Sequence, residues 1–371
     1  MEKPRLVLHF DVNKTILVDD KIQKIDASLS CSQILYWTSW GHVSGGRWRW
    51  NGEEPSLVSA DRGAVLYGDY VQGQPELRKR RFALKRDFVK KGNAGEGLGP
   101  FHQRLMEALA LPESVKEAIR GQGWAQVAGL DEGNVRLLPS FFELLMDLKA
   151  KGREVTLVIR TYGGDIPEIV AELNAFCEGR HPMYPGAALD GRDGGLDLRI
   201  DLGDARRYGA VHRGGEVGDD ASAVSLALGV VARPGGCDSA PFANPLSFYR
   251  ARAAQVLERP EEVWGHLEVG GAFALRDDYP WWARSGFKAS AGKPLRVDPS
   301  DRSVHAIFFD DNVFEDDARI VDVRDARTGA PMGLKRTRDL YLVRADSYRA
   351  VLDRGYFIEA LARCEAARAA L

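Results

Sequence analysis

The chain has no closely spaced cysteine pair. Its four cysteines, Cys31, Cys177, Cys237 and Cys364, are scattered over 371 residues, which argues against both a zinc knuckle and a disulfide framework. The seven histidines are equally dispersed, with no HxxxH spacing. No run of about 18 apolar residues occurs, so no membrane span and no membrane partner are expected. Charge of one sign is not in excess either: 51 basic residues face 53 acidic ones, a net charge of −2. Such a balance supplies no global field to hold a polyanion, and nucleic acid is not an expected partner. The first residues lack the long apolar segment of a secretory signal, so a cytoplasmic location is the expectation. Internal repeats and low-complexity tracts are missing as well.

What is present is an ordinary globular composition, 44% hydrophobic and 28% charged. It can bury a large core without staples. The length predicts two domains, or one core with large insertions. Residues 5–10 (RLVLHF) are a short apolar run that stops at a polar turn, Asp11-Val12-Asn13-Lys14-Thr15. Such a run fits a strand covered on both faces, as in a parallel sheet. Residues 139–151 predict an amphipathic helix, with Pro139 in its first turn and Gly152 as its stop. Residues 155–159 (VTLVI) follow as a second buried strand ending at Arg160-Thr161, and 165–176 as another helix. Residues 304–309 (VHAIFF) read as a third buried strand, ending at Asp310-Asp311-Asn312.

Elsewhere the pattern predicts helices at 101–109, 114–119 and 245–257, and a helix or turn near Trp281-Trp282. A strand-like stretch spans 196–200. A helix-like stretch spans 221–231, with Asp219-Asp220 as its cap. A short strand is expected at 340–343 and a terminal helix at 346–370, split near Gly355. The basic run 77–91 (LRKRRFALKRDFVKK) reads as a solvated helix face, and the tryptophans between positions 37 and 50 as packing. Gly286 to Lys293 is not a phosphate-binding P-loop, because its spacing is wrong and Pro294 replaces the Ser or Thr.

Three apolar strands each end in a polar cluster: Asp11/Asn13/Thr15, Thr161, and Asp310/Asp311. In a parallel sheet all strand C-termini lie on one edge, where ligands bind. A strand-tip carboxylate can attack phosphorus and form an aspartyl phosphate. It needs a cation beside it, and magnesium takes one or two carboxylates plus phosphate and water. Asp11 with Asp310 or Asp311 supplies them. Thr161 can donate to a phosphoryl oxygen, and a lysine would neutralise the remaining charge.

The segments LVLHFDVNKT, VTLVIRT and HAIFFDDN resemble motifs one, two and four of the haloacid dehalogenase (HAD)-like hydrolase superfamily. Lys293, in Gly292-Lys293-Pro294, is similar to the lysine of motif three, with Lys288 as a competing choice. The resemblance implies an α/β, Rossmann-like core with a mostly parallel sheet and flanking helices. Residues 1–17, 136–179 and 281–371 would form it. Residues 18–135 would be a first, cap-type insertion and 180–280 a second, as a cap or a core extension. It further implies that Asp11 is the nucleophile and a Mg2+ ligand, and that Asn13 ligates Mg2+ through its backbone carbonyl. Asp310 would be the main acidic ligand, supported by Asp311. Thr161 and Lys293 would hold the phosphoryl group, with Thr15, Arg160 and Lys288 as further substrate contacts.

One departure matters. The superfamily's phosphatases carry an aspartate where this chain has Asn13, and that aspartate protonates the leaving group and then activates water. General acid–base catalysis contributes roughly 10²–10⁴-fold. The expectation is therefore a slow or specialised Mg2+-dependent phosphatase or phosphotransferase for a small phosphorylated molecule. The alternative is a catalytically inactive, HAD-like binding or regulatory protein. A third, weaker reading gives the basic run and the tryptophans a nucleic-acid role. Protein partners are not legible.

Overall fold

A computed structural model describes residues 3–19, 25–59, 61–214, 223–233 and 244–371. The strands are β1 (Arg5–Asp11), β2 (Trp40–Ser44), β3 (Arg47–Trp50), β4 (Val65–Leu66), β5 (Val155–Thr161), β6 (Tyr208–Arg213), β7 (Val224–Leu228), β8 (Gln255–Leu257), β9 (Gly271–Arg276), β10 (Lys293–Val297), β11 (Val304–Asp310), β12 (Val321–Asp325) and β13 (Leu342–Arg344). Eight of them form one sheet in the order β13-β11-β1-β5-β9-β6-β7-β8. From β13 to β6 every pairing is parallel, and only β7 and β8 are added antiparallel. The molecule is therefore a mixed α/β fold with a mostly parallel central sheet and flanking helices. Two smaller sheets stand apart, β10-β12 and β3-β2-β4.

The apolar strands follow from burial on both faces. Leu6, Leu8 and Phe10 of β1 enter the main core with the helices Pro139–Ala150 and Tyr356–Ala369, whereas Val7 enters a second core with Phe273 and Leu267. Side chains alternate along a strand, so both sets must be apolar. Phe10 stacks on Phe309 of β11 at 4.5 Å and meets Phe141 and Phe357 edge-on. These contacts lock β1 beside β11, in the register Phe10↔Phe309.

From β1 the chain passes to β5 and on to β6, β7 and β8, returns to insert β9 between β5 and β6, and then places β11 and β13 on the other side of β1. Such a reversal opens a crevice at the carboxyl ends of the flanking strands. Asp11 ends β1 and Asp310 ends β11, so both carboxylates stand at that crevice.

Several expectations need correction. The described part of 221–231, residues 223–231, holds no helix: Val224–Leu228 is β7, and each of its residues is buried. A short apolar run cannot choose between helix and strand by itself, and here the open edges of β6 and β8 decide. Asp219 and Asp220 lie outside the described residues. Residues 196–200 are not a strand, and Asp197 pairs only through an isolated bridge to Asp190. The Asn174 side chain takes both backbone groups of Ile200, at 2.8 and 2.9 Å, in place of a neighbouring strand. The helix expected over 245–257 ends at Arg252, and the chain turns into β8. The basic run is two short helices, Pro75–Lys79 and Arg81–Arg86, and Lys85 in the second is partly buried rather than solvated. Strands β6, β9, β10 and β12 carry no strong sequence signal and were not expected.

Cys31, Cys177 and Cys364 are free and buried, and Cys237 lies outside the described residues. Among the described residues no helix is long and apolar enough to cross a membrane. Trp48 packs on Tyr67 at 4.8 Å, consistent with a packing role.

Removing the Phe10 ring leaves a cavity under the β1–β11 pair. Phe10→Ala is expected to lower the unfolding free energy by about 3–5 kcal/mol, read from urea titrations. A loss under about 1 kcal/mol would mean that the core collapses around the gap.

Candidate active site

The turn after β1 is wound around a single acceptor. The backbone N–H groups of Thr15, Ile16 and Leu17 all donate to the Val12 carbonyl, at 3.2, 3.0 and 2.9 Å. Lys14 takes a left-handed φ of 63° to make this possible, a conformation that costs a non-glycine residue on the order of 1 kcal/mol or more. The winding aims the Thr15 hydroxyl back at the strand tip. It donates to Asp11 Oδ2 at 3.3 Å and accepts the Asp311 N–H at 3.1 Å. Thr15 thus ties the tips of β1 and β11 together.

Lys293 opens β10 and is only 1% exposed. Its ammonium donates to Asp11 Oδ1 and, at 2.8 Å, to Asp310 Oδ2. The other Asp310 oxygen accepts the Asn312 N–H at 2.9 Å. Asn312 also donates to Asp311 Oδ1 at 2.9 Å. Carboxylate oxygens of Asp11, Asp310 and Asp311 lie within 4.8 Å of one another, a set that could hold a metal ion.

The electrostatics of this cluster are unbalanced. Burial pushes the Asp11 carboxyl well above its ordinary range against the pull of Lys293, and Asp310 and Asp311 add to the rise. Burial pushes Asp311 up to about 6, opposed by Lys14 and reinforced by Asp310. Burial disfavours the Lys293 charge, but the two carboxylates outweigh it and hold the ammonium above its usual range. Three carboxylates around one ammonium leave negative charge unmatched in a dry site. A hard divalent cation would relieve it. The Asn13 Oδ1, buried with no hydrogen-bond partner, adds an orphaned oxygen beside the cluster. The residues present therefore fit such a cation.

The cluster opens into a cleft of about 480 Å³ lined by Asp11, Asn13, Lys14 and Asn312 on one side and by Tyr162, Tyr279 and Trp282 on the other. Tyr162 stacks on Trp282 at 5.3 Å. A larger, open cavity of about 1040 Å³ lies at the opposite edge of the sheet, among Arg5, Asn174 and Gly271. Among the described residues, only the strand-tip cluster groups carboxylates closely enough for a metal.

The structure thus brings together Asp11, Thr15, Lys293, Asp310 and Asp311, with Asn13 and Thr161 close by. The Thr161 hydroxyl donates to Asp165 Oδ2 at 3.2 Å and accepts the Gly163 N–H at 2.8 Å. Asn13 Nδ2 reaches the same Asp165 oxygen at 3.5 Å. Two residues stand elsewhere. Arg160 alternates away from Thr161 and is buried in a bidentate pair with Asp277. It also donates to His9 Nδ1 and to the Pro294 carbonyl, both at 3.2 Å. Lys288 is exposed and outside the cleft.

Sequence reasoning missed Asp165, Tyr162, Arg233 and Tyr279. Asp165 carried a signal, four residues after Thr161 at a helix start, but it reads there as a cap. In fact its side chain makes no cap hydrogen bond. Arg233 donates to the Tyr162 and Asp277 carbonyls, a tertiary contact with no local signature. Comparison with protein-family models, curated proteins and solved structures finds no match for the chain.

A cation bound by these carboxylates competes with their protons. With Asp311 titrating near 6, it is ionised at pH 7.5 and mostly neutral at pH 5. Affinity for Mg2+, measured by calorimetry, is expected to fall about tenfold or more between those pH values. A pH-independent affinity would place the ion elsewhere.

Proposed function

We propose that the chain is a Mg2+-dependent phosphatase or phosphotransferase acting on a small phosphorylated molecule through an aspartyl phosphate on Asp11. The reading includes an HAD-like core with cap-type insertions at 18–135 and 180–280. The observation that carries it is the Asp11 carboxylate, fixed at a strand tip by Lys293 and Thr15 and facing a cleft beside Asp310 and Asp311.

The chain's own residues account for the chemistry. Lys293 and Thr15 orient the Asp11 carboxylate, so an oxygen faces an incoming phosphorus without a search of rotamers. A bond forms from that oxygen to phosphorus, and the bond from phosphorus to the leaving oxygen breaks with its electron pair. The ammonium of Lys293 offsets charge on the phosphoryl group during transfer. Water, or a second alcohol, then takes the phosphoryl group from Asp11 and restores the carboxylate. Asp11, Asp310 and Asp311, with the Asn13 carbonyl, would hold the Mg2+, which supplies a Lewis acid for the phosphoryl oxygens. The aromatic wall of Tyr162, Tyr279 and Trp282 gives the substrate body an apolar surface.

Asn13 is the weak point of turnover. It can neither donate an acidic proton to the leaving oxygen nor activate water, so substrates with good leaving groups are favoured. A second reading, a binding protein without turnover, draws on the same residue, whose amide is engaged with Asp165. Mg2+ binding without phosphate release would favour it.

The test is phosphate release from a panel of small phosphate esters and acyl phosphates, with and without Mg2+. Asp11→Asn is expected to abolish release, and unchanged turnover would sink the mechanism. Asn13→Asp is expected to speed release from alkyl esters by up to about 10²–10⁴-fold, with little change for acyl phosphates, whose leaving groups need no acid.

A further inference from the structure

Beside the catalytic cleft lies a second cavity of about 220 Å³. Lys14 and Asn312 line both. Five cationic side chains converge on the second one: Lys14 from the turn after β1, Arg81 and Lys85 from the first insertion, Arg319 from just before β12, and Arg344 from the end of β13. The lining holds one carboxylate, Asp311.

Among the described residues none of the five heads is in an ion pair. Aromatic rings take the place of carboxylates. Lys85 Nζ lies 4.9 Å from the Trp37 ring, and Arg319 and Arg344 lie 4.7 and 5.5 Å from that of Phe314. Ring faces attract cations without neutralising them. The Arg344 Nε is buried with no hydrogen-bond partner. Burial, together with Lys14, Arg81 and Arg319, lowers Lys85 to about 8 against the pull of Asp311, while Asp346, Glu315 and Asp69 act on Arg344 from outside the lining. Cations from three distant stretches of chain have been gathered against their mutual repulsion, which an anion in their midst would repay.

We propose that this pocket binds a second anionic group of the substrate, a phosphate or carboxylate, while the reacting phosphate lies at Asp11. The substrate class is then a small doubly anionic phosphoester. This rests on the phosphoryl-transfer reading of the Asp11 site. The basic run thereby acquires a role in selection: two of its cations line the cavity, and its other cations are exposed or pair with neighbouring carboxylates.

The test is a binding measurement, so it does not depend on turnover. The Asp11→Asn chain in Mg2+ buffer is titrated by calorimetry with butyl phosphate and with alkane-α,ω-diyl bisphosphates of graded length. At least one bisphosphate is expected to bind about tenfold or more tighter than butyl phosphate. Lys85→Gln, Arg344→Gln and Arg81→Gln should each bring that ratio toward one. Circular dichroism on each variant identifies any that fails to fold, and the remaining ones decide. Equal affinities at every length, or an advantage that survives the substitutions, overturns the proposal. So does an equal gain from butyl phosphate plus free inorganic phosphate, which would assign the cations to a separate anion. Loss of phosphate release in the wild type with the ratio intact would sink the catalytic reading alone.

Discussion

The ammonium of Lys293 is the contact on which the site depends. It lies between the tips of β1 and β11 and touches a carboxylate from each. It reaches them from β10, a strand of the separate two-stranded sheet. Removing one partner of a buried pair leaves an uncompensated charge and costs about 3–5 kcal/mol. The arrangement therefore couples the placement of the small sheet to the ionisation of the strand tips. Two arginines brace it from behind. Arg160 donates to the carbonyl of Pro294, the residue after Lys293. Arg213 donates to that of Gly292, the residue before it, at 2.8 Å, and pairs with Asp322 of β12. Gly292 itself admits no side chain, because a Cβ would lie 2.1 Å from the Ile320 carbonyl oxygen.

The three buried strands that carry the polar clusters were legible because each is an unbroken apolar run closed by acids or a threonine. The helices with proline at the start were legible for the same kind of local reason. The antiparallel edge was not. Val224–Leu228 has no periodicity of its own that separates strand from helix, and its neighbours in space fix the answer. Lys293 was legible only through the motif around it, and its burial could not be inferred from a glycine and a proline on either side. Arg160 shows the limit of reading by adjacency: it lies next to Thr161 in the strand that Thr161 ends, yet alternation sends it to the opposite face. Asp165 shows the converse. A helix-start aspartate reads as a cap, and only the fold reveals that Thr161 and Asn13 both point at it.

The stretch between β1 and the helix Pro139–Ala150 changes what the basic run means. In sequence it is a stripe of charge. In the structure it breaks at Arg80 into two helices, and the second presents Arg81 and Lys85 to a cavity that shares Lys14 and Asn312 with the cleft at Asp11. A near-neutral chain can thus hold a strongly local field. Net charge predicts long-range steering, whereas small anions respond to the few cations that line one pocket.

The parallel pairing of β1 with β11 has a consequence for synthesis. The register joins Val7 to Ala306, so the roughly 300 residues between them must be made before β1 meets this partner. At roughly 5–20 residues per second, the nascent chain carries β1 for on the order of tens of seconds before β11 emerges. During that interval the apolar β1 lacks one of its two neighbours, and β5 is the only one it can have met. Such long-range parallel pairing is slow and exposes edges to aggregation. The strand-tip cluster is consequently a late product of the ribosome, and a chain truncated before β11 would carry Asp11 with no Asp310 to share its lysine.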